Sequence, residues 1–192
     1  MEEDYWHIVT KMKKTIKKEI VIPGEVVVNI DGTLIIIKGP IGEISRRLAY
    51  PGISIDKKEN KIIVFSKDGT KKEKTMIGTF TSHIKNMIKG CKEPFVYKLR
   101  ICSGHFPMNV QVKGNEVIVS NFLGEKIPRR TKIEEGSNVE VKGNEVIVSS
   151  YDKEKAGMSA ARIEQTTRIR NRDRRVFQDG IFLISKAGKD IK

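Results

Sequence analysis

Apolar and polar residues alternate in a stretch of nine residues, VKGNEVIVS, which occurs at residues 112–120 and again at residues 141–149. Its central Gly-Asn pair is typical of a two-residue hairpin turn, because glycine tolerates a positive φ. The register that this turn predicts pairs Lys113 with Glu116, Val112 with Val117 and Val110 with Val119. Side chains alternate along a strand, so the valines share a core face and the charged residues share a wet one.

The same alternation recurs elsewhere in the chain. In the second copy it predicts a core face of Val139, Val141, Val146 and Val148. In VNIDGTLIII, with Gly32-Thr33 as the turn, it predicts a core face of Val28, Ile30, Ile35 and Ile37. The stretch ENKIIVF is a further looser copy, where a longer turn is needed to bring Ile53 and Ile55 opposite Ile62 and Val64. This nesting predicts two homologous domains with two hairpins each, and Gly32 superposed on Gly114.

A helical pattern follows the hairpins in each half. In residues 70–90 the apolar stripe predicts one amphipathic helix, with Gly90 as its left-handed C-terminal cap. In residues 152–169 Asp152 is the expected N-cap, and a stripe of small residues would let the helix lie close to its sheet. The two stripes are Ile77, Phe80, Ile84, Met87 and Ile88 in the first helix, and Ala156, Ala160, Ile163 and Thr167 in the second.

These elements predict an α+β fold of two tandem homologous domains, each an antiparallel β-sheet of hairpins packed against one α-helix. KEPFVYKLRI, at residues 92–101, is too apolar for a free linker and predicts a strand that ties the domains together. The expected boundaries are a basic extension at 1–19, a first domain at 20–92, a second at 93–185 and a tail at 186–192.

Composition and charge narrow the function. Hydrophobic residues make up 38% of the 192, which suffices for a core, and the formal net charge is +13. Such a charge indicates a polyanionic partner, either nucleic acid or an anionic membrane surface. No apolar run reaches the length of a membrane span and MEEDYWH does not resemble a signal peptide, so an intracellular soluble chain is expected. Cys91 and Cys102 are too few for a disulfide framework or a metal set, and reduced thiols are expected.

The densest charge lies in RIRNRDRR, residues 168–175, where Asp173 is the one acidic residue. If the stretch is extended, four arginines share a face; if it is helical, they point in all directions. Guanidinium groups bind phosphates in a forked geometry and stack on bases, so this density predicts RNA binding. The arginines concerned are Arg168, Arg170, Arg172, Arg174 and Arg175.

Two other basic stretches leave alternatives open. Lys126, Arg129 and Arg130 follow the first repeated hairpin and either touch RNA or are simply exposed. The same choice holds for the N-terminal lysines Lys11, Lys13, Lys14, Lys17 and Lys18. The tyrosines and the tryptophan are too scattered to form a stacking platform, so recognition of RNA backbone and shape is expected.

Several motifs in order resemble the universal large-subunit ribosomal protein L-six family, in its archaeal and eukaryotic form. They are KGPIGEI at 38–44, Gly78-Thr79 with NMIKG at 86–90, Phe95 with Lys98-Leu99, HFP at 105–107, and DKEKAG followed by AARIEQTTRIRNRDRRVFQDGI. The resemblance covers about residues 20–185. The chain departs from the pattern at MEEDYWH and at Ser159, where many relatives carry glutamine.

The resemblance implies a structural, non-enzymatic protein of the large ribosomal subunit, without cofactor, metal, membrane or small-molecule substrate. The implied partners are large-subunit rRNA near the sarcin-ricin loop, neighbouring ribosomal proteins including the stalk base, and translational GTPases nearby. The implied location is the cytoplasm, with nucleolar assembly if the organism is eukaryotic. Lys153 and Lys155, near the positive end of a helix dipole, and Arg162 match the family motifs and join the expected rRNA-binding residues.

Two other function classes compete with this assignment. A small RNA-processing enzyme would use His83 or His105 as acid or base, but the chain shows no Ser-His-Asp order, HExxH, phosphate loop or paired acidic cluster. A free-standing RNA-binding regulator is compatible with the composition. Stoichiometric sedimentation with large ribosomal subunits separates both alternatives from the ribosomal reading.

Overall fold

The computed structural model describes residues 15–67 and 69–191, which form two α+β domains. Lys11, Lys13, Lys14 and His7 lie outside the described residues. The first domain contains β1 (Ile16–Val21), β2 (Val27–Asp31), β3 (Leu34–Lys38), β4 (Glu43–Arg47), β5 (Ile53–Lys58), β6 (Lys61–Ser66) and α1 (Lys71–Lys92). The second contains β7 (Phe95–Cys102), β8 (Asn109–Lys113), β9 (Glu116–Ser120), β10 (Arg129–Lys132), β11 (Ser137–Lys142), β12 (Glu145–Ser150), α2 (Lys153–Thr166), β13 (Gly180–Lys186) and β14 (Lys189–Asp190).

The two domains have the same topology, as the internal repeat predicts. In the first domain the strand orders are β2-β3-β4 and β1-β6-β5, and in the second they are β10-β9-β8 and β11-β12-β7-β13-β14. Each strand from β1 to β6 thus has a counterpart six strands later, and β13 and β14 extend the second domain. In detail, each domain has two sheets where one was expected. Buried side chains from both sheets and the helix form one core per domain.

The repeated hairpins have the predicted register. Lys113 lies opposite Glu116, and Lys142 opposite Glu145, so Gly114-Asn115 and Gly143-Asn144 are the turns. Gly114 and Gly143 have φ values of 59° and 58°, which a side chain would strain. The valine faces are buried as predicted except at Val112 and Val141, which are half-buried against the same core. In the first domain the predicted face buries Val28, Ile35 and Ile37, and Ile30 is half-buried against that core.

The longer turn predicted between β5 and β6 is wrong. Lys58 lies opposite Lys61, so the turn contains only Glu59 and Asn60, and Glu59 takes a left-handed φ of 46°. Ile55 pairs with Val64, but Ile53 pairs with Ser66 and Lys57 with Ile62. The Nζ of Lys57 reaches the neighbouring sheet and donates to the carbonyl of Val28 at 2.8 Å. Lys57 therefore occupies a position opposite Ile62 where the apolar spacing predicted an apolar residue. Its partner lies in another sheet, so no local pattern in the sequence indicates this register.

Strands also occupy part of the predicted N-terminal extension and part of the predicted C-terminal tail. β1 begins at Ile16, four residues before the predicted start of the first domain, and pairs with β6 along its whole length. Lys17, Lys18 and Glu19 are exposed, as is usual at a sheet edge. Because these residues are charged, the sequence shows no apolar pattern that would predict a strand here. At the other end, Lys189 and Asp190 of β14 pair with Lys186 and Ser185 of β13. The apolar stretch after α1 forms β7, the central strand of the second domain's larger sheet.

Gly90 does not cap α1, contrary to the prediction. The helix continues to Lys92, and Glu93 follows with an extended φ of −136°. A Cβ on Gly90 would lie 1.9 Å from the carbonyl oxygen of Tyr151 in the second domain. Gly90 is therefore the point where the backbones of the two domains approach each other, and the absence of a side chain permits that approach.

Tyr151 joins the two domains at the start of α2. Its side chain packs against the core of the first domain, and its ring lies 3.5 Å from the position of a Cβ on Gly42. The next residue, Asp152, is the N-cap of α2 as predicted, and its carboxylate accepts from the backbone N–H of Glu154 at 2.9 Å. The first turn of α2 is thereby placed against the first domain. The second helix buries the predicted stripe, Ala156, Ala160, Ile163 and Thr167.

Candidate nucleic-acid interface

The predicted arginine-rich stretch forms an irregular loop, residues 168–179, which we call the arginine loop. It is neither extended nor helical, so neither of the two predicted side-chain arrangements applies. The loop leaves α2 after Thr167 and turns at Asn171, whose φ is 57°. Arg168, Arg170, Arg172, Arg174 and Arg175 are all exposed. Their positive charges therefore face solvent at one end of the second domain.

Asp173 shapes this loop. Its Oδ1 accepts from the backbone N–H of Arg175 at 2.9 Å, and its carbonyl accepts from the N–H groups of Val176 and Phe177. Aspartate commonly closes such turns by binding its own backbone two residues on. Asp173 is the one acidic residue of the stretch, and its carboxylate is engaged by the backbone N–H of Arg175. The guanidinium groups beside it therefore stay available to an external anion.

Asp179 anchors the far end of the arginine loop. Its buried carboxylate accepts from the backbone N–H groups of Gly104 and His105, and its Oδ2 lies 2.8 Å from His105 Nδ1. Burial raises the pKa of this carboxyl, but the donors of Gly104 and His105 outweigh it, and the net shift is below the usual value. The imidazole of His105 lies against Phe177, with ring centroids 5.0 Å apart. Arg172 covers Phe177 at 4.9 Å.

Arg129 anchors the near end of the loop. Its Nε and Nη2 donate to the carboxylate of Glu125 at 2.8 and 2.5 Å, and its Nη1 donates to the carbonyls of Thr166 and Arg168 at 2.8 and 3.0 Å. The guanidinium also covers the ring of Phe122 at 4.3 Å. The pKa of Glu125 is lowered chiefly by its hydrogen bond from Arg129. Because these contacts occupy the guanidinium, Arg129 is placed to position the loop.

The remaining predicted residues fall into two groups. Lys126 and Arg130 are exposed and lie close in sequence to Arg129, whose guanidinium contacts the start of the arginine loop. Lys153 and Lys155 lie at the opposite end of α2, about 20 Å away at 1.5 Å per residue. Lys153 is half-buried, with its Nζ 6.0 Å from the ring centroid of Phe95.

Arg162 lies between these groups on α2. It shares a helix face with Lys155, at a spacing of seven residues. Its Nη2 pairs with Glu134 at 2.6 Å, and the Arg162 side chain is 43% exposed. We define the basic face as the arginine loop, Lys126 and Arg130, with Lys155 and Arg162 extending it along α2.

A cavity of about 1020 Å³ opens beside the arginine loop. Its walls come from the end of β7, the turn at 103–105, the last turn of α2, the loop itself and the start of β13. In β13, the N–H groups of Ile181 and Leu183 are satisfied by Thr167 Oγ1 at 2.8 Å and Glu164 Oε1 at 3.2 Å. These bonds fix the strand against the helix end.

The two described histidines have structural partners. His83 Nδ1 lies 2.5 Å from Arg46 Nη1 at the domain boundary, and His105 binds Asp179. No group of three His, Cys, Asp or Glu side chains that could hold a metal occurs in residues 15–67 and 69–191. Within the same ranges no helix has the length and apolar character needed to cross a membrane. Cys91 and Cys102 are free thiols, as expected.

Sequence reasoning missed the residues that hold the basic face in place. Phe122 and Glu125 lie in FLGE, which matches PIGE at residues 40–43, but this repeat does not indicate a contact with Arg129. One available signal was the opposite charge of Glu125 and Arg129 at a spacing of four. Asp179 carried no local signal, because its partners lie 74 and 75 residues away.

Fold and site together define a duplicated α+β protein whose second domain carries a basic face. The family model described as Ribosomal protein L6 matches residues 22–93 and 106–180. The chain belongs to the ribosomal protein L6 family. It is 51% identical over 174 residues to the large ribosomal subunit protein uL6 of Methanococcus vannielii, covering 91% of this chain and 96% of that protein. It is 46% identical over 184 residues to the large ribosomal subunit protein uL6 of Nanoarchaeum equitans, covering 92% of this chain and 96% of that protein.

Proposed function

We propose that the chain is a structural constituent of the large ribosomal subunit and that its basic face binds large-subunit rRNA. The observation that carries the proposal is the arginine loop, in which five exposed guanidinium groups lie on a backbone anchored at both ends by Arg129 and Asp179. The relatives named large ribosomal subunit proteins support the same assignment.

Anchoring matters for affinity. A flexible basic tail loses conformational entropy when it binds, whereas a loop that is already ordered loses less. In the described part of the chain, the side chains of Arg168, Arg170, Arg174 and Arg175 have no hydrogen bond or ion pair of their own. Their donors are therefore available to phosphate oxygens without the loss of internal contacts. Backbone contacts of this kind give shape recognition more than sequence recognition.

The finer assignment rests on the family resemblance. We propose contacts with rRNA near the sarcin-ricin loop, with protein neighbours at the stalk base, and a position close to the docking site of translational GTPases. The second domain, residues 93–185, is proposed to carry the rRNA contacts and residues 20–92 to support it. In this role the protein would act on the cytoplasmic ribosome without turnover of its own.

Salt titration of rRNA binding tests the proposal. The protein, Arg170→Ala/Arg174→Ala/Arg175→Ala and Lys11→Ala/Lys13→Ala/Lys14→Ala would be titrated against an rRNA fragment from the sarcin-ricin region. Each phosphate contact contributes about −0.7 to −0.9 to the log-log slope, so the arginine variant should flatten it by about 2 to 3. The lysine variant should lose less affinity, and a larger loss from it would place the binding surface elsewhere.

Lysine replacements at the same three arginines separate charge from geometry. They should restore much of the slope but only part of the affinity, since lysine lacks the planar fork of arginine. His105→Ala tests the absence of turnover: rRNA should remain uncleaved by both proteins. An RNA cleavage that the native protein shows and the folded variant loses would contradict the structural role.

A further inference from the structure

The cavity beside the arginine loop has an exposed aromatic wall. Phe182 lies on β13 directly after Gly180 and Ile181. Those two residues are buried, whereas Phe182 remains 39% exposed. A Cβ on Gly180 would lie 3.0 Å from Phe182 Cζ, so the glycine leaves room for the ring to lie over the backbone. One side of the ring is therefore supported by protein, and the ring lines the cavity.

The charges around the cavity favour an anion. Arg168 and Arg174 line it, together with the side chains of Glu164 and Asp179. Both acidic groups are used internally: Glu164 accepts from the N–H of Leu183, and Asp179 binds Gly104 and His105. The two arginines have no such partner in the described residues. The cavity thus offers unpaired positive charge and an exposed ring in one place.

Polar groups suited to the edge of a base complete the lining. Gln165, at the end of α2, and Ser103, in the turn after β7, face the same space. An amide and a hydroxyl both donate and accept hydrogen bonds. An aromatic platform, a cation for the phosphate and mixed donors for a base edge are the elements by which proteins hold unstacked bases.

We propose that this cavity receives one unpaired nucleobase of the bound rRNA, stacked on Phe182, with its flanking phosphates on Arg168 and Arg174. This inference rests on the proposed function and deepens it, because it adds recognition of one extruded base to contacts with phosphates. A free mononucleotide has the same chemistry. We assign the site to the polymer because the cavity is continuous with the basic face.

The test uses the rRNA fragment of the salt titration, with single abasic substitutions at each unpaired position. The native protein should lose about tenfold in affinity at one position, since a base stacked on an aromatic side chain contributes on this order. Phe182→Leu should bind the intact RNA about tenfold more weakly than the native protein does. The RNA that is abasic at that position should bind to both proteins with the same affinity. The salt slope should be the same for both proteins, because Phe182 contacts no phosphate.

Phe106→Leu is the matched control, because Phe106 is 44% exposed and lies outside the lining of the cavity. It should bind all these RNAs like the native protein. An abasic series in which no position discriminates between native protein and Phe182→Leu would overturn the base pocket, while salt-dependent binding by the native protein would leave the proposed function standing. Absence of any binding by the native protein would overturn both.

Crosslinking gives a readout that does not depend on a variant. A 4-thiouridine at the discriminating position should crosslink to peptides containing residues 102–105 or 177–182 of the native protein. A crosslink to residues 164–169 or 174–176, which also line the cavity, would support the same pocket, and a crosslink outside the lining would overturn the proposal. Competition with AMP, CMP, GMP and UMP should leave the complex intact. Displacement by one of them at a concentration comparable to the RNA would assign the cavity to free nucleotides instead.

Discussion

Arg46 of β4 and Glu154 of α2 form a bidentate ion pair across the domain boundary, between residues 108 positions apart. Arg46 Nη1 donates to Glu154 Oε1 at 2.7 Å, and Nη2 donates to Oε2. The hydrogen bond from Arg46 lowers the pKa of the Glu154 carboxyl. His83 of α1 lies 3.4 Å from the same carboxylate. Three elements of two domains therefore meet at one carboxylate in the first turn of α2.

A double-mutant cycle on Arg46→Met and Glu154→Gln should give a coupling free energy of unfolding of about 0.5–1 kcal/mol. The forked geometry favours the upper end, while the exposure of 27% and 49% of the side chains limits it. Urea unfolding measures it. The control is the exposed ion pair of Lys38 and Glu43 within one hairpin. Its coupling free energy should be about a few tenths of a kcal/mol or less. Equal coupling in both pairs would contradict a special role for the boundary.

Gly90→Ala should destabilise the protein, although alanine is intrinsically better than glycine in a helix. The new methyl would lie 1.9 Å from the Tyr151 carbonyl, and such overpacking costs about 1–3 kcal/mol. Gly78→Ala, in the same helix, is the control: its Cβ would meet nothing nearer than Lys18 Nζ at 3.9 Å. That variant should gain up to about 1 kcal/mol from helix propensity. Thermal unfolding distinguishes them, and a stabilised Gly90→Ala would exclude the close approach.

Arg129→Ala should weaken rRNA binding without changing its salt slope, because Arg129 holds the arginine loop and is not expected to contact phosphate. The lost hydrogen bonds should destabilise the second domain by about 1–3 kcal/mol. Arg130→Ala is the neighbouring control: it should flatten the slope by about 0.7–0.9 and leave unfolding within about 0.5 kcal/mol. Arg129→Lys should not restore rRNA binding or stability, since lysine lacks the forked guanidinium group of arginine. A slope change in Arg129→Ala would show a direct contact.

Asp179→Asn should reduce stability at neutral pH by about 1–2 kcal/mol, since an amide is a weaker acceptor than a carboxylate. The pKa of Asp179 is lowered in the folded protein, so its contribution is present above the unfolded value of about 3.9 and is lost as pH falls below it. The difference between native and variant proteins should therefore narrow below about pH 3.9. Unfolding between pH 7 and pH 2.5 measures it. Asp56→Asn, at an exposed position, should track the native protein throughout.

The repeated hairpins and the two helices could be predicted because their signals lie within a few residues. Gly114 and Gly143 sit where a two-residue turn needs a positive φ, and the alternating valines then determine which face is buried. Asp152 caps α2 through a bond to a residue two positions away. The same locality made the exposed arginines of residues 168–175 visible as a charge cluster.

Tertiary structure alone decided how those arginines are presented. The sequence determined that the chain carries two α+β repeats and a dense basic stretch in the second. It did not determine that Arg129 would bind the carbonyl of Thr166, 37 residues away, or that Asp179 would bind Gly104. The sequence around Gly90 predicts a helix cap, whereas the carbonyl of Tyr151 lies against Gly90 in the folded protein. Periodicity and turn chemistry act between chain neighbours, whereas these contacts exist only after sheets and helices have packed, and packing brings together residues whose separation carries no periodic signal.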